Sequence, residues 1–360
     1  MSTVLSPLTA SNYNNALLVS GLQSQYGSHI AAKAALIESD YGVKISGIDR
    51  QVQQWKDFQA ELEKPRGVVS GTIGRLKGMR GLIDSLIQTV GKADLDSQSG
   101  TLSDGYRATF DSMLKSLRSR VDKATDSPNL LGKTGARELL IPTGLYGATQ
   151  SVRQNYKGVD YRILDTSGEQ WAPDYVGNLL RRYDSYPDDP SSVSGNLASG
   201  ARLDSLAGDD VTFTVAPGTA DPQTFTGTID REGIGLVDAW FYENLSTQDG
   251  RDRARADLTA AKKNLDLEIH RYQGTLTAIA YYDNRAAIRL GDFRAETGAL
   301  LIEREREMLT SQQNFQRQFD LATTALTRNQ FALDVYKTMF ATSGNTVADR
   351  VFGTIISTSA

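Results

Sequence analysis

From Gly250 to Thr342 the chain contains no proline and places an apolar residue every three or four positions, and a second pattern of the same kind fills the opposite end of the sequence. The later pattern reads Leu258, Ala261, Leu265, Ile269, Tyr272, Leu276, Ile279, then Ala286, Leu290 and Phe293. It continues through Phe315, Phe319, Ala322 and Leu326 to Leu333 and Phe340. Such spacing draws one apolar stripe along a helix and is incompatible with strand alternation. At a rise of about 1.5 Å per residue, a continuous helix of this length reaches roughly 140 Å, longer than any compact core, so the spacing predicts a rod.

The early pattern is more regular still. Ile45, Ile48, Val52, Trp55, Leu62, Val69, Ile73, Leu76, Ile83, Ile87 and Val90 keep a strict three-four order, interrupted only by Gln59, Arg66 and Arg80. A seam of that kind needs a partner helix. Gly67, Gly71, Gly74, Gly78 and Gly81 each stand two positions before a seam residue, roughly 200° around the helix. Each interior glycine costs up to about 1 kcal/mol relative to alanine, so five on one face predict a smooth ridge packed closely against a neighbouring backbone. The competing reading is that Pro65 and the glycines mark a frayed or broken helix; the intact three-four order on both faces favours the ridge.

A chain of 360 residues with 39 basic and 43 acidic side chains has a net charge of only −4, which excludes the basic footprint of a nucleic-acid binder. Mixed charge within the later helix, as in Glu303-Arg304-Glu305-Arg306-Glu307, suits an exposed or subunit-facing surface. Cysteine is absent, so disulfides and thiolate metal sites are excluded, as is natural for a protein exported unfolded. Met1 to Ser20 lacks the basic and apolar regions of a cleaved signal, and no stretch approaches the ~18 apolar residues of a membrane span. The first 40 residues, rich in Ser, Ala, Asn and Gln, are expected to be ordered by a partner.

Between the helical ends the texture changes. A polar break follows Lys92 (Asp94 to Gly100), then a shorter helix carries Phe110, Met113, Leu114, Leu117 and Val121 and ends at Ser127-Pro128. Residues 138 to 166 mix apolar runs with turn residues and read as strands or a hairpin. Val211, Phe213 and Val215 alternate with threonines, and Phe225 and Ile229 suit an antiparallel mate across Pro217-Gly218. The stretch from Tyr183 to Gly208, with Pro187, Pro190 and many Ser and Gly, reads as loop.

This layout resembles the bacterial flagellin and hook-associated protein family. The resemblance lies in a long helix (Ile45 to Val90), a shorter one (Thr101 to Thr125), and a link reading Thr125-Asp126-Ser127-Pro128-Asn129-Leu130-Leu131-Gly132 where the family often has an Asn-Gly-Leu-Leu-like turn. A β insert and a long C-terminal helix complete it. The resemblance implies chain ends forming the coiled-coil core of a hollow filament, an insert facing outward, and export chaperone and hook-junction proteins as partners besides further copies of the chain.

Signals for chemistry are weak. Gly132-Lys133-Thr134 ends like a phosphate loop, but position 127 is Ser and a predicted helix precedes it, so the backbone cradle is missing. Asp94, Asp96, Gln98 and Asp104 could ligate calcium, but Ser99 and Gly105 occupy the glycine and bidentate-glutamate positions of such a loop. The histidines, His29 and His270, read as ordinary helix residues. The insert gathers Asp160, Asp165, Glu169, Trp171, Asp174, Tyr175 and Tyr183, a mix that sugar hydrolases use and that polar surfaces also carry.

The expectation is therefore a mainly α fold: a long coiled-coil helical bundle formed by the N- and C-terminal segments, with a small β-containing insert. Its parts are an assembly segment (1–43), a helical rod (44–127), an outward insert (128–247), a long helix packed on the rod (248–342) and a tail (343–360). Packing and assembly are assigned to Ile45, Ile48, Val52, Trp55 and Leu62, to the five glycines, and to Leu276, Ile279, Phe293, Phe315, Phe319 and Leu326. The expected role is a secreted, self-assembling filament subunit of flagellin type, without enzyme activity, cofactor, metal, nucleic acid or membrane insertion. A secreted coiled-coil interaction protein, such as an export-apparatus tip, a translocator-like component or an adhesive rod, is the alternative. Removing 1–40 or 343–360 should leave a soluble monomer, and removing about 166–208 should spare assembly.

Overall fold

Two long helices bracket a β insert in the computed structural model, which describes residues 7–122, 130–133 and 138–356, without the side chains of 7–16, 122, 337 and 340–356. Helix α1 spans Pro7–Gln98, α2 Gly105–Asp122 and α3 Gln248–Ile356. Among the described residues, nine strands and a short 3-10 segment, Ala239–Leu245, lie between α2 and α3. The fold is mainly α with a β insert. The link at 125–129 and the end of the Gly132-Lys133-Thr134 string lie outside the described residues.

Helix α1 runs through Pro65, which is buried. The missing amide bond there would cost about 3 kcal/mol in an isolated helix, and tertiary packing along the seam overrides it. The helix also runs through the polar stretch expected to break it after Lys92. It ends on Gly100, whose φ of 73° lies in the left-handed region and whose N–H donates to the Ser97 carbonyl, a glycine stop of the common kind. Helix α3 begins on Thr247, whose Oγ1 accepts the Gly250 N–H at 3.0 Å, satisfying one otherwise orphaned donor.

The chain divides into two compact units, residues 54–288 and a second made of residues 1–53 and 289–360. In the first, α1 and α3 are antiparallel: Asp94 pairs with Arg251, Asp84 with Lys262, Arg80 with Asp266 and Arg66 with Asp283. The three polar interruptions of the α1 seam have a purpose in this pairing. Gln59 donates to Asp283 Oδ1 at 2.9 Å, Arg66 reaches Asp283 Oδ2 at 2.7 Å, and Arg80 reaches Asp266 at 2.7 Å. Along the same seam Leu62, Val69, Leu76, Ile83 and Val90 are fully buried, as are Leu258, Leu265, Tyr272 and Ile279 on α3.

The second buried face of α1 is not the glycine stripe. Gly67, Gly74 and Gly81 are exposed, and a Cβ built on any of them meets nothing within 4 Å. A Cβ on Gly78 would press only on the mobile end of Arg120. Gly71 is half-buried. The covered face lies one residue later, at Val68, Thr72, Met79 and Leu86. Helix α2 runs alongside this part of α1, with Arg75 donating to the Arg120 carbonyl at 2.9 Å. Within the chain, then, the glycines stand beside a helix contact, not under a backbone. Gly74→Ala should therefore raise the stability of the isolated chain by up to about 1 kcal/mol, read from urea denaturation; a loss would show that the face is occupied.

The insert holds a hairpin, β1 (Glu138–Pro142) with β2 (Thr149–Arg153), and a seven-stranded antiparallel sheet. The sheet comprises β3 (Tyr161–Asp165), β4 (Gln170–Asp174), β5 (Leu179–Ser185), β6 (Asp189–Asn196), β7 (Ala201–Ala207), β8 (Asp210–Val215) and β9 (Gln223–Arg231). Strands β8 and β9 pair as the alternation predicts, Phe213 opposite Phe225. The expected loop from Tyr183 to Gly208 is instead the end of β5, all of β6 and β7. Pro190 is tolerated because β6 is an edge strand. Strands β6 and β7 stand at opposite edges of the order β6-β5-β4-β3-β9-β8-β7 yet are joined by residues 197–200 alone, so the sheet curls until its edges meet. A Cβ at Gly195 would lie 2.2 Å from the Gly200 carbonyl oxygen, which reserves that corner for glycine. Inside, Trp171 stands edge-on to Phe213 at 5.2 Å and close to Phe225 at 4.6 Å. Deleting 166–208 would remove β4 to β7 with the fully buried Trp171, so that segment is core, not an appendage.

Candidate assembly surface

The unit formed by 1–53 and 289–360 is built almost wholly from its two helices, and two helices cannot enclose a core. They are antiparallel, Tyr26 meeting Phe319 edge-on at 5.6 Å. Tyr41 lies against Glu303 and Glu307; burial first, then these carboxylates, push its phenol above the ordinary range. Ile37, Tyr41, Ile48 and Leu290 are buried. The remaining seam residues assigned to packing, Ile45, Val52, Phe293, Phe315, Phe319 and Leu326, are only half-buried. The contrast with the other unit is direct: there Leu62 and Ile279 are fully buried, while Trp55 and Leu276 are half-buried.

Each helix of this unit also bears apolar residues away from its inward stripe. On α3, Ala295, Ile302 and Leu309 recur every seven residues, and Phe331 and Val335 continue the same face; all are exposed, Ile302 by 65% and Phe331 by 73%. Ala295 stands two positions after Phe293 and Ile302 two after Leu300, roughly 200° from the inward stripe. On α1, Leu18, Leu36 and Val43 share a separate face, roughly 120–140° round the helix from the stripe of Ile37, Tyr41 and Ile48, and are exposed, Val43 by 69%. Ile302 and Leu309 of the outward stripe flank the charged run Glu303 to Glu307 and so escape notice in the sequence, although the heptad of Ala295, Ile302 and Leu309 could have disclosed it.

The residues weighed for chemistry are held by other residues. Asp94 binds Arg251 and Arg255, and Asp96 accepts from Tyr106; among the described residues no cluster of His, Asp and Glu is arranged for a metal. His270 is exposed and contacts the Asp266 carbonyl, and His29 is exposed. Asp165 accepts from the Ser167 and Glu169 amides and from Trp171 Nε1, and meets Arg182 at 3.1 Å. Burial works against its ionised form, but these donors outweigh it and hold the carboxyl below its ordinary value. Bonds from the Gly177 amide and Arg181 do the same for Asp174. A glycosidase acid needs a raised carboxyl; Asp160, Asp165 and Asp174 are all lowered. No helix among the described residues is long and apolar enough to cross a membrane.

A raised carboxyl occurs where α2 meets the 3-10 segment. Burial first, and then the charge of Asp238, lift Asp111 from 3.8 to about 6, against its bond from the Ala239 amide and the pull of Arg107 and Arg118. Because the folded value exceeds the unfolded one, the site's contribution to stability is full below pH 3.8 and lost as pH rises through about 6. Asp111→Asn keeps the acceptor without the charge. At pH near 7.5 it should unfold at higher urea, by about 1–2 kcal/mol after allowance for partial exposure. The gain should vanish near pH 4; equal stability at both pH values would remove the buried-charge account.

No protein-family model matches the chain, and no curated protein matches it. Among solved structures it is similar to FlgL of Xanthomonas campestris, 12% identical over 74% of this chain and 99% of that one, with a TM-score of 0.24. It is also similar to flagellar hook-associated protein-3 of Legionella pneumophila, 12% identical over 79% and 99% of the two chains, with a TM-score of 0.21. Overlap at that level defines neither family nor function, so the functional reading rests on this chain's own residues.

Proposed function

We propose that the chain is a structural subunit that polymerises through its helical ends into a secreted, extracellular filament of the flagellin and hook-associated type, with the β insert displayed outward. One observation carries this reading: the terminal helices expose apolar faces both inward, where a two-helix hairpin leaves Phe293, Phe315 and Phe319 half-covered, and outward, along Ile302, Leu309 and Phe331. A closed dimer would cover one patch. Separate faces of the same helices call for neighbours on both, which generates a ring or an open helical array. The absence of cysteine and the balanced charge suit a protein that crosses an export channel as an extended chain. Export chaperone and hook-junction proteins are the partners such a subunit would meet before and during incorporation. In this role the chain needs no cofactor and catalyses no reaction.

Negative-stain microscopy of the purified full chain tests the proposal. Filaments many subunits long, growing with concentration, are the expected result. Discrete rods of fixed length would instead favour the second reading, a secreted coiled-coil interaction protein acting as a monomer or small oligomer.

A further inference from the structure

The insert carries a concavity unconnected with the helical ends. It is a pocket of about 440 Å³ at the end of the sheet where β3 begins and β9 finishes, within the size range of small-molecule sites. Lys133 and Arg162 supply its cations, Asp160 and Glu232 its carboxylates, and Tyr175 and Tyr186 its aromatic surface. These charges are matched among themselves. Lys133 Nζ is 2.9 Å from Asp160 Oδ2 and also pairs with Glu232, which in turn binds Arg162. An ionic ligand would find no net charge to attract it and would have to break a pair to enter.

Hydrogen-bonding capacity is nonetheless left over. An ammonium has three donors, a guanidinium five, and each carboxylate about four acceptor sites, so donors and acceptors alternate along one wall. Hydroxyl groups, each donor and acceptor at once, match such a wall without disturbing its charges. Two tyrosines complete the lining beside these charges. Tyr175 lies deeper, its hydroxyl donating to the Val159 carbonyl at 3.4 Å and its ring under the Arg118 guanidinium. Tyr186 stands at the rim, 43% exposed, edge-on to Tyr183 at 5.1 Å and beneath Arg162 at 5.6 Å. An aromatic face, negative by its quadrupole, suits the polarised C–H face of a sugar ring.

We infer that this pocket binds a neutral polyhydroxylated ring, a hexopyranose or the exposed end of a glycan, with Tyr186 as stacking platform and the Lys133-Asp160-Glu232-Arg162 wall engaging the hydroxyls. The filament would thereby present a glycan-binding site on its outer domain. Asp160 and Tyr175 belong to the carboxylate and aromatic set visible in the sequence; Lys133, Arg162, Tyr186 and Glu232 come together only through the fold.

The test adds the methyl glycosides of glucose, galactose, mannose and N-acetylglucosamine to the full chain, each at about 10 mM, where a millimolar Kd is readily seen. Glucuronate and glucosamine serve as charged counterparts. Saturation-transfer NMR and calorimetry are expected to show at least one neutral glycoside binding, more tightly than either charged sugar. Tyr186→Ala, at an exposed position that leaves the core intact, should weaken that binding at least about tenfold, whereas Tyr146→Ala, at a 92% exposed tyrosine on the β1–β2 turn, should not. No transfer to any neutral glycoside, tighter binding of a charged sugar, or undiminished binding by Tyr186→Ala would each overturn the inference.

Discussion

Replacing Arg251 with methionine should destabilise the 54–288 unit more than any other single substitution on α3, by about 3–5 kcal/mol. Arg251 is 2% exposed. Its guanidinium meets Asp94 at 3.1 Å, Ser97 Oγ at 3.0 Å, Gln248 at 2.9 Å, and the Leu245 and Ser246 carbonyls at 3.0 and 3.1 Å. One side chain thus joins the end of α1, the end of the 3-10 segment and the first turn of α3. Methionine fills similar volume but withdraws the donor from two carbonyls and from Asp94 Oδ1, leaving that carboxylate only Arg255 on its other oxygen. Lysine keeps the charge but lacks the planar fork and cannot serve five partners, so Arg251→Lys should fall between. Urea denaturation followed by circular dichroism measures this; a methionine variant within about 1 kcal/mol of the parent would show that the joint is not held by Arg251.

The helical scaffold is legible in the sequence because burial along a helix repeats every three to four residues, and Leu62, Leu76, Ile83, Leu265 and Ile279 obey that repeat. What misleads is chemistry that looks like a defect. Gln59, Arg66 and Arg80 interrupt the seam on paper, yet each reaches a carboxylate on α3 and helps set the register of the pair. The polar run after Lys92 resembles a break, yet Asp94 and Ser97 are the partners of Arg251. The glycine stripe is real, but large side chains one residue further on, Met79 and Leu86 among them, take the contact. Strands β5 to β7 were not legible: Ser, Gly, Asp and Arg dominate them, and their strand character comes from pairing in a curled sheet, not from local preference.

The candidate assembly surface was half legible for the same reason. The inward stripe through Phe293, Phe315, Phe319 and Leu326 follows from periodicity alone. Its incomplete burial, and the second stripe on the far side, need the pairing of α1 with α3 in this unit to be known before either can be read as a surface awaiting a neighbour. Apolar side chains scattered singly on a surface mean little; Ala295, Ile302 and Leu309 at seven-residue intervals are a stripe, and a stripe is what a helix presents to another helix.

The central claim is that these outward stripes join one copy to the next. Sedimentation of the full chain beside the Ile302→Lys, Leu309→Lys double variant tests it most directly. Ile302 and Leu309 are 65% and 54% exposed, so lysine at both should leave helix content and thermal melting of the monomer unchanged. Burying two unpaired ammonium groups in a subunit contact costs several kcal/mol each, enough to abolish polymerisation. The account predicts a parent that sediments as long polymers and a folded double variant that remains monomeric at every concentration; a double variant that sediments with the parent, or a parent that is itself monomeric throughout, would contradict it.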